Sequence, residues 1–276
     1  MNKKIYIIGL LVFVFSYISF SSYPAFADVD DAQLKNIIEK ANEGNAYYQT
    51  ILGVLYEFGE GVKQDHHKAV EWYTKSAEQG YAEAQCCLGV MYEYGKGVKQ
   101  DYHKAVELYR KSAEQGYAEA QSCLGVMYEF GKGVKQDYYK AVEWYTKAAD
   151  QGNARAQSNL GVMYEFGKGV KQDYHKAVEW YTISAEQGYA RAQSNLGVMY
   201  LTGKGVKQDF YKTVQLFRKA AEQGDALAQY CLGHIYEYGK GVKQDYHKAK
   251  ESYGKSCENG FQIGCDKYRE LNEKGY

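Results

Sequence analysis

The sequence predicts an all-α fold, a solenoid of antiparallel helix pairs, and two observations carry that reading. The phrase Gly-Val-Lys-Gln-Asp occurs at 61–65, 97–101, 133–137, 169–173, 205–209 and 241–245, each time 36 residues on. A second phrase, Ala-Glu-Gln-Gly or a near variant, ends at Gly80, Gly116, Gly152, Gly188, Gly224 and Gly260 with the same interval. A fixed period of roughly 20–50 residues is how a solenoid shows itself in sequence. Within each period apolar residues recur at helical spacing. Composition agrees: of 276 residues 25% are charged and 45% hydrophobic, which excludes a disordered chain. The formal net charge is zero, so nothing in the bulk charge points to nucleic acid.

The elements follow in order. Lys3 and Lys4 open a basic start, Ile5 to Phe15 form an apolar run, and Ala25-Phe26-Ala27 puts small residues two apart before Asp28. This is the order of a secretory signal peptide over 1–27, cut between Ala27 and Asp28. The apolar core is shorter than the roughly 20 residues that span a bilayer, and no other run approaches that length. The mature chain is therefore expected to be soluble, secreted or periplasmic, without a membrane span. Cleavage removes the single proline and both early lysines, taking the net charge to −2. Residues 28–44 read as an N-terminal capping helix, with Leu34, Ile37, Ile38 and Ala41 on one face and acidic Asp28, Asp30 and Asp31 at its start.

Six units then fill 45–80, 81–116, 117–152, 153–188, 189–224 and 225–260 without insertion or deletion. In 81–116, Ala84, Leu88, Met91 and Tyr92 lie on one helical face, and Gly95-Lys96-Gly97 stops that helix. Asp101 is placed to cap a second helix carrying Ala105, Val106, Tyr109 and Ala113, which Gly116 ends. One helix pair cannot bury its apolar face alone, so the units must stack. Glycine inside the first helices, as at Gly89, costs about 1 kcal/mol against alanine and implies close approach of a neighbour. Residues 261–276 read as a closing helix whose exposed face carries Lys267, Glu270, Glu273 and Lys274.

At Leu88-Gly89, Tyr92, Gly95, Gly97-Val98, Asp101, Lys104-Ala105, Tyr109 and Ala113 the sequence resembles the Sel-one-like repeat, a branch of the tetratricopeptide (TPR) superfamily. The resemblance covers about 45–260. It implies a right-handed TPR-like superhelix of helix pairs whose concave groove binds protein. Lys63, Lys99, Lys135, Lys171, Lys207 and Lys243 stand where many family members have proline.

Cys257 and Cys265 flank the turn at Gly260, eight residues apart. They are expected to form a disulfide in an oxidising compartment, and the cysteine-rich helicobacter branch of the family shows the same spacing. Cys86, Cys87, Cys123 and Cys231 read as small, semi-buried side chains. Four of the six histidines share a helix-start column and cannot converge on one metal, so neither a metal nor a cofactor is expected. No catalytic residues are assigned. Ser252-Tyr253-Gly254-Lys255 spells Ser-x-x-Lys, and some cysteine-rich relatives are described as β-lactam-binding or hydrolysing. The companion Ser-Asp-Asn and Lys-Thr-Gly signatures are missing, however.

By analogy with the TPR framework, first helices line the groove, at Glu83, Cys86, Cys87, Val90 and Glu93 in the second unit. The pattern then changes. Units four and five offer Arg155 with Asn159 and Arg191 with Asn195, each pair at i, i+4; unit six offers Leu227, Tyr230 and His234. Arginine is a forked donor for carboxylate, and asparagine can bond an extended backbone. These residues mark a protein or peptide site. Lys96, Lys99, Lys132 and Lys135 begin a basic loop edge opposite an acidic one. The leading expectation is a monomeric exported scaffold. The alternative is a secreted or periplasmic β-lactam-binding or hydrolysing protein.

Overall fold

The repeated phrases contain the chemistry that starts the second helix of each pair, at the capping aspartate. The computed structural model describes residues 30–276, and these contain fourteen α-helices and no strand. They divide at Gln151 and Gly152 into two compact units. The first holds α1 (Asp31–Asn42), α2 (Ala46–Phe58), α3 (His66–Glu78), α4 (Ala82–Tyr94), α5 (Tyr102–Glu114), α6 (Ala118–Phe130) and α7 (Tyr138–Asp150). The second holds α8 (Ala154–Phe166), α9 (Tyr174–Glu186), α10 (Ala190–Thr202), α11 (Phe210–Glu222), α12 (Ala226–Tyr238), α13 (Tyr246–Glu258) and α14 (Gln262–Glu273). Within each unit consecutive helices pack on one another, so each is an array of helix pairs. The segment read as a signal peptide, with its expected Ala27–Asp28 junction, lies outside the described residues. No described helix is long and apolar enough to cross a membrane.

The Gly-Val-Lys-Gln-Asp loop works through three of its residues and the glycine before it. Gly95 ends α4 in the left-handed region at φ 66°, which glycine adopts without the steric penalty of a Cβ. Gln100 donates from Nε2 to the Glu93 carbonyl at 2.8 Å, covering an open helix end. The Asp101 carboxylate accepts from the Lys104 amide at 3.0 Å and caps α5. Gly97 cannot be replaced without collision, because a Cβ there would run into the His66–His67 backbone of the preceding pair. Gly133 and Gly205 are seated in the same way on the helix starts at Tyr102 and Tyr174.

The core is set by one aromatic per second helix. Tyr73, Tyr109, Tyr145, Tyr181, Phe217 and Tyr253 are fully buried. Each lies against the glycine of its own first helix: a Cβ on Gly89 would stand 2.7 Å from the Tyr109 ring. The close approach implied by those glycines is that of a ring lying flat on the helix backbone. A glutamine ladder adds polar register. Gln85 donates to the Ala77 carbonyl of the preceding helix at 3.3 Å and accepts from Gln115 at 2.8 Å. Cys257 and Cys265 are disulfide-bonded with their Cα atoms 4.5 Å apart, fastening α13 to α14.

Candidate functional site

In the second unit the residues expected to bind a partner fall on the first helices α8, α10 and α12. On α8 the run Ala156, Gln157, Leu160, Gly161 and Met163 faces the core. Arg155 lies half-buried at its margin, and Asn159 is set into the wall at 8% exposure. On α10 Arg191 is exposed and Asn195 half-buried. On α12 Tyr230 and His234 are both half-buried. The Arg–Asn pairs therefore offer an arginine above a more deeply set amide.

The surroundings of α12 bear on what it can offer. Asp225 caps α12 by accepting from the Ala228 amide at 2.7 Å. Burial pushes its carboxyl up; the cap bond and the nearby Arg191 charge oppose that rise. Tyr230 is committed to packing, with its ring 5.3 Å from Phe261 and 5.6 Å from Tyr253. His234 lies 4.5 Å from the Tyr238 ring. Its burial, with Lys240 nearby, holds the imidazole below its ordinary pKa and keeps it neutral at pH 7.

The equivalent positions of the first unit correct an expectation. Of the groove residues read in 81–116, Glu83 is half-buried, but Cys86, Cys87, Val90 and Glu93 are buried at 0%, 3%, 7% and 7% exposure. Glu93 is a structural anion. It accepts the Tyr109 hydroxyl at 2.8 Å and pairs with Lys132 at 3.7 Å. The same arrangement joins Tyr73, Glu57 and Lys96, and joins Tyr253, Glu237 and Lys267. Part of the lysine edge is thus occupied in neutralising buried carboxylates of the preceding unit. Lys267, expected on an exposed face, is half-buried for this reason. Lining up the six first helices shows the carboxylate column but not that it points inward, because the tyrosine that receives it stands on the second helix, 16 residues on.

The thiols offer little nucleophilic chemistry. A hydrogen bond with Cys123 and then burial hold Cys86 well above the ordinary thiol range, and burial does the same to Cys87. Burial and the Asp225 charge push Cys231 up to about 12. His67, His103, His175 and His247 are exposed at helix starts. Among the described residues no group of three His, Cys, Asp or Glu side chains could hold a metal ion. Ser252 and Lys255 line a shallow depression of about 300 Å³ on the second-helix side. The Ser252 hydroxyl donates to the Lys248 carbonyl at 2.8 Å, and Lys255 pairs with Glu251 at 2.6 Å.

The family model of the Sel1 repeat matches six times, at 46–81, 82–117, 118–153, 154–189, 190–225 and 226–261. The chain belongs to the Sel1 repeat family. Solved structures agree. A Sel1 repeat protein from Oxalobacter formigenes is 31% identical, over 90% of this chain and 96% of that one, with a TM-score of 0.76. The protective antigen c5321 of uropathogenic Escherichia coli, which displays the same repeat fold, is 38% identical with a TM-score of 0.71. That match covers 97% of this chain but 57% of the antigen, so this Sel1 repeat protein spans little more than half the antigen's length. The immunity protein PA5088 of Pseudomonas aeruginosa, at 22% identity and a TM-score of 0.53, shares the fold. No curated protein matches the chain. As a Sel1 repeat solenoid, the protein has a scaffold fold commonly used for protein–protein interaction.

Proposed function

We propose that this Sel1 repeat protein is an exported scaffold that binds a protein or an extended peptide through the face lined by α8, α10 and α12. The observation that carries this is a contrast between two columns. The buried aromatic that packs each pair is Tyr in every repeat but the fifth, which has Phe217, whereas the column of Tyr47, Glu83, Glu119, Arg155, Arg191 and Leu227 changes character along the chain. A position constrained only by stacking would repeat as the core does. Arg191 is exposed and forms no ion pair within 4 Å among the described residues, so its guanidinium is available to a partner carboxylate.

Export is supported by three things: the order of residues 1–27, the Cys257–Cys265 disulfide, and likeness to a protein known as a protective antigen. The Ser-x-x-Lys pattern supports no second reading, because Ser252 bonds its own helix and Lys255 is held by Glu251.

The test begins with capture of partners by the 28–276 form from envelope extract and culture supernatant. The dissociation constant of each captured partner is then measured by interferometry. Arg155→Glu/Arg191→Glu should raise it about tenfold or more, and Lys99→Glu/Lys135→Glu on the loop edge should leave it within about twofold. A dissociation constant unmoved by the arginine changes sinks the proposal.

A further inference from the structure

One lysine of the repeated loop has no glutamate at the position where Lys96 and Lys132 find a buried one. Lys96 reaches back to Glu57 at 3.3 Å, and Lys132 to Glu93 at 3.7 Å. The first unit has no earlier unit to reach, and it carries Glu60 in that column instead of lysine. The lysine therefore goes with the carboxylate. Lys240 breaks the rule. Where the glutamate should stand is Leu201, and the tyrosine that would bond it is Phe217, fully buried. Both internal partners are gone while the lysine remains. It is exposed and forms no ion pair within 4 Å among the described residues.

The surface around Lys240 differs in the same direction. The column of Val54, Val90, Val126, Val162 and Val198 becomes His234, whose ring is tilted against that of Tyr238, itself 52% exposed. Lys240 lies near enough to act electrostatically on His234. The arginine column becomes Leu227, 38% exposed, while Arg191 stands on the neighbouring first helix.

We propose that this end of the second unit docks one kind of partner: an extended protein segment in which a carboxylate stands beside a bulky apolar side chain. The partner's carboxylate fills at Lys240 the role that Glu57 and Glu93 play for Lys96 and Lys132. Its apolar side chain lies on Tyr238, His234 and Leu227, and Arg191 takes a second acid. Charge complementarity selects this occupant, because a neutral segment would leave two cations unmatched beside the apolar contact. The inference rests on the reading of α8, α10 and α12 as the binding face and names the partner's chemistry.

The test uses fluorescein-labelled peptides of about ten residues, built from Asp-Phe, Asn-Phe or Asp-Gly repeats and titrated by anisotropy into the 28–276 protein. Asp-Phe should bind about tenfold tighter than either control. The decisive variant is Leu201→Glu/Phe217→Tyr, which restores the internal carboxylate and its hydroxyl and so copies the arrangement of the other units. It should keep the wild-type circular dichroism and the Asn-Phe affinity, while the preference for Asp over Asn falls below about twofold. Lys240→Glu should weaken Asp-Phe about tenfold, and Lys99→Glu by less than about twofold. Equal affinity for the three peptides, no binding, or a preference that survives Leu201→Glu/Phe217→Tyr overturns the inference. If that surviving preference is lost in Arg155→Glu/Arg191→Glu, the binding face stands and only the role of Lys240 falls. If it is lost in neither, both fall.

Discussion

A buried glutamate is tolerable only when its charge is matched, and each such residue here is matched by a tyrosine hydroxyl and in several units by a lysine from farther along the chain. Tyr109→Phe removes one partner and leaves Glu93 partly unsatisfied. Urea unfolding should show a loss of about 1–3 kcal/mol. Glu93→Leu/Tyr109→Phe removes both partners, as Leu201 and Phe217 do naturally, and should recover most of that loss. A strictly additive double variant would contradict the pairing. Asp225 gives a test with pH. Its folded pKa is raised by burial, so the native state binds its proton more tightly than the unfolded chain does. The associated stability is present at low pH and is lost as pH rises through the folded pKa. Asn153 caps the equivalent helix, so Asp225→Asn should keep the cap. Its melting temperature should exceed that of the wild type at pH 7, with a smaller difference at pH 4; the opposite order would refute the sign.

Two kinds of helical glycine can be told apart at the scale of the element. Gly89 lies under the Tyr109 ring, and its Cβ would come within 2.7 Å. Gly89→Ala should therefore destabilise by about 1–3 kcal/mol despite the gain in helix propensity. A Cβ on Gly254 of α13 would stand 3.3 Å from the Tyr268 ring, and Tyr268 is partly exposed and able to shift. Gly254→Ala should be neutral or stabilising by up to about 1 kcal/mol. Thermal melts of the two variants check the contrast, and similar losses would contradict it. The helices themselves were legible in the sequence because the caps are: Asp101 before α5, Gly95 after α4 and the 36-residue interval name them directly. The face each residue presents was less legible. Glu93 looks like a groove acid because it is charged, and Asn159 looks exposed because it is polar. Both are buried, Glu93 with the Tyr109 hydroxyl of the second helix as its partner, and no spacing within the first helix reveals that. Arg191, read as a groove residue, is exposed.

For the whole molecule, the Cys257–Cys265 bond closes a loop of eight residues. In the chain-entropy view its loss costs about 2–3 kcal/mol at most, so Cys257→Ser/Cys265→Ser should still fold, with α14 exchanging amide hydrogens faster than α8 to α12. Uniform acceleration would instead make the bond a determinant of the whole second unit. The repeat fold gives this Sel1 protein many copies of one socket, and the binding proposal rests on the few positions that break the repetition. Covalent footprinting of the 28–276 protein, with and without its captured partner, tests that claim most directly. The account predicts protection of Leu227 and Tyr238 on the first helices, with Tyr139 and Tyr211 at the second-helix starts, 79% and 71% exposed, labelled equally in both states. Protection of Tyr139 and Tyr211 with Tyr238 unchanged would contradict it.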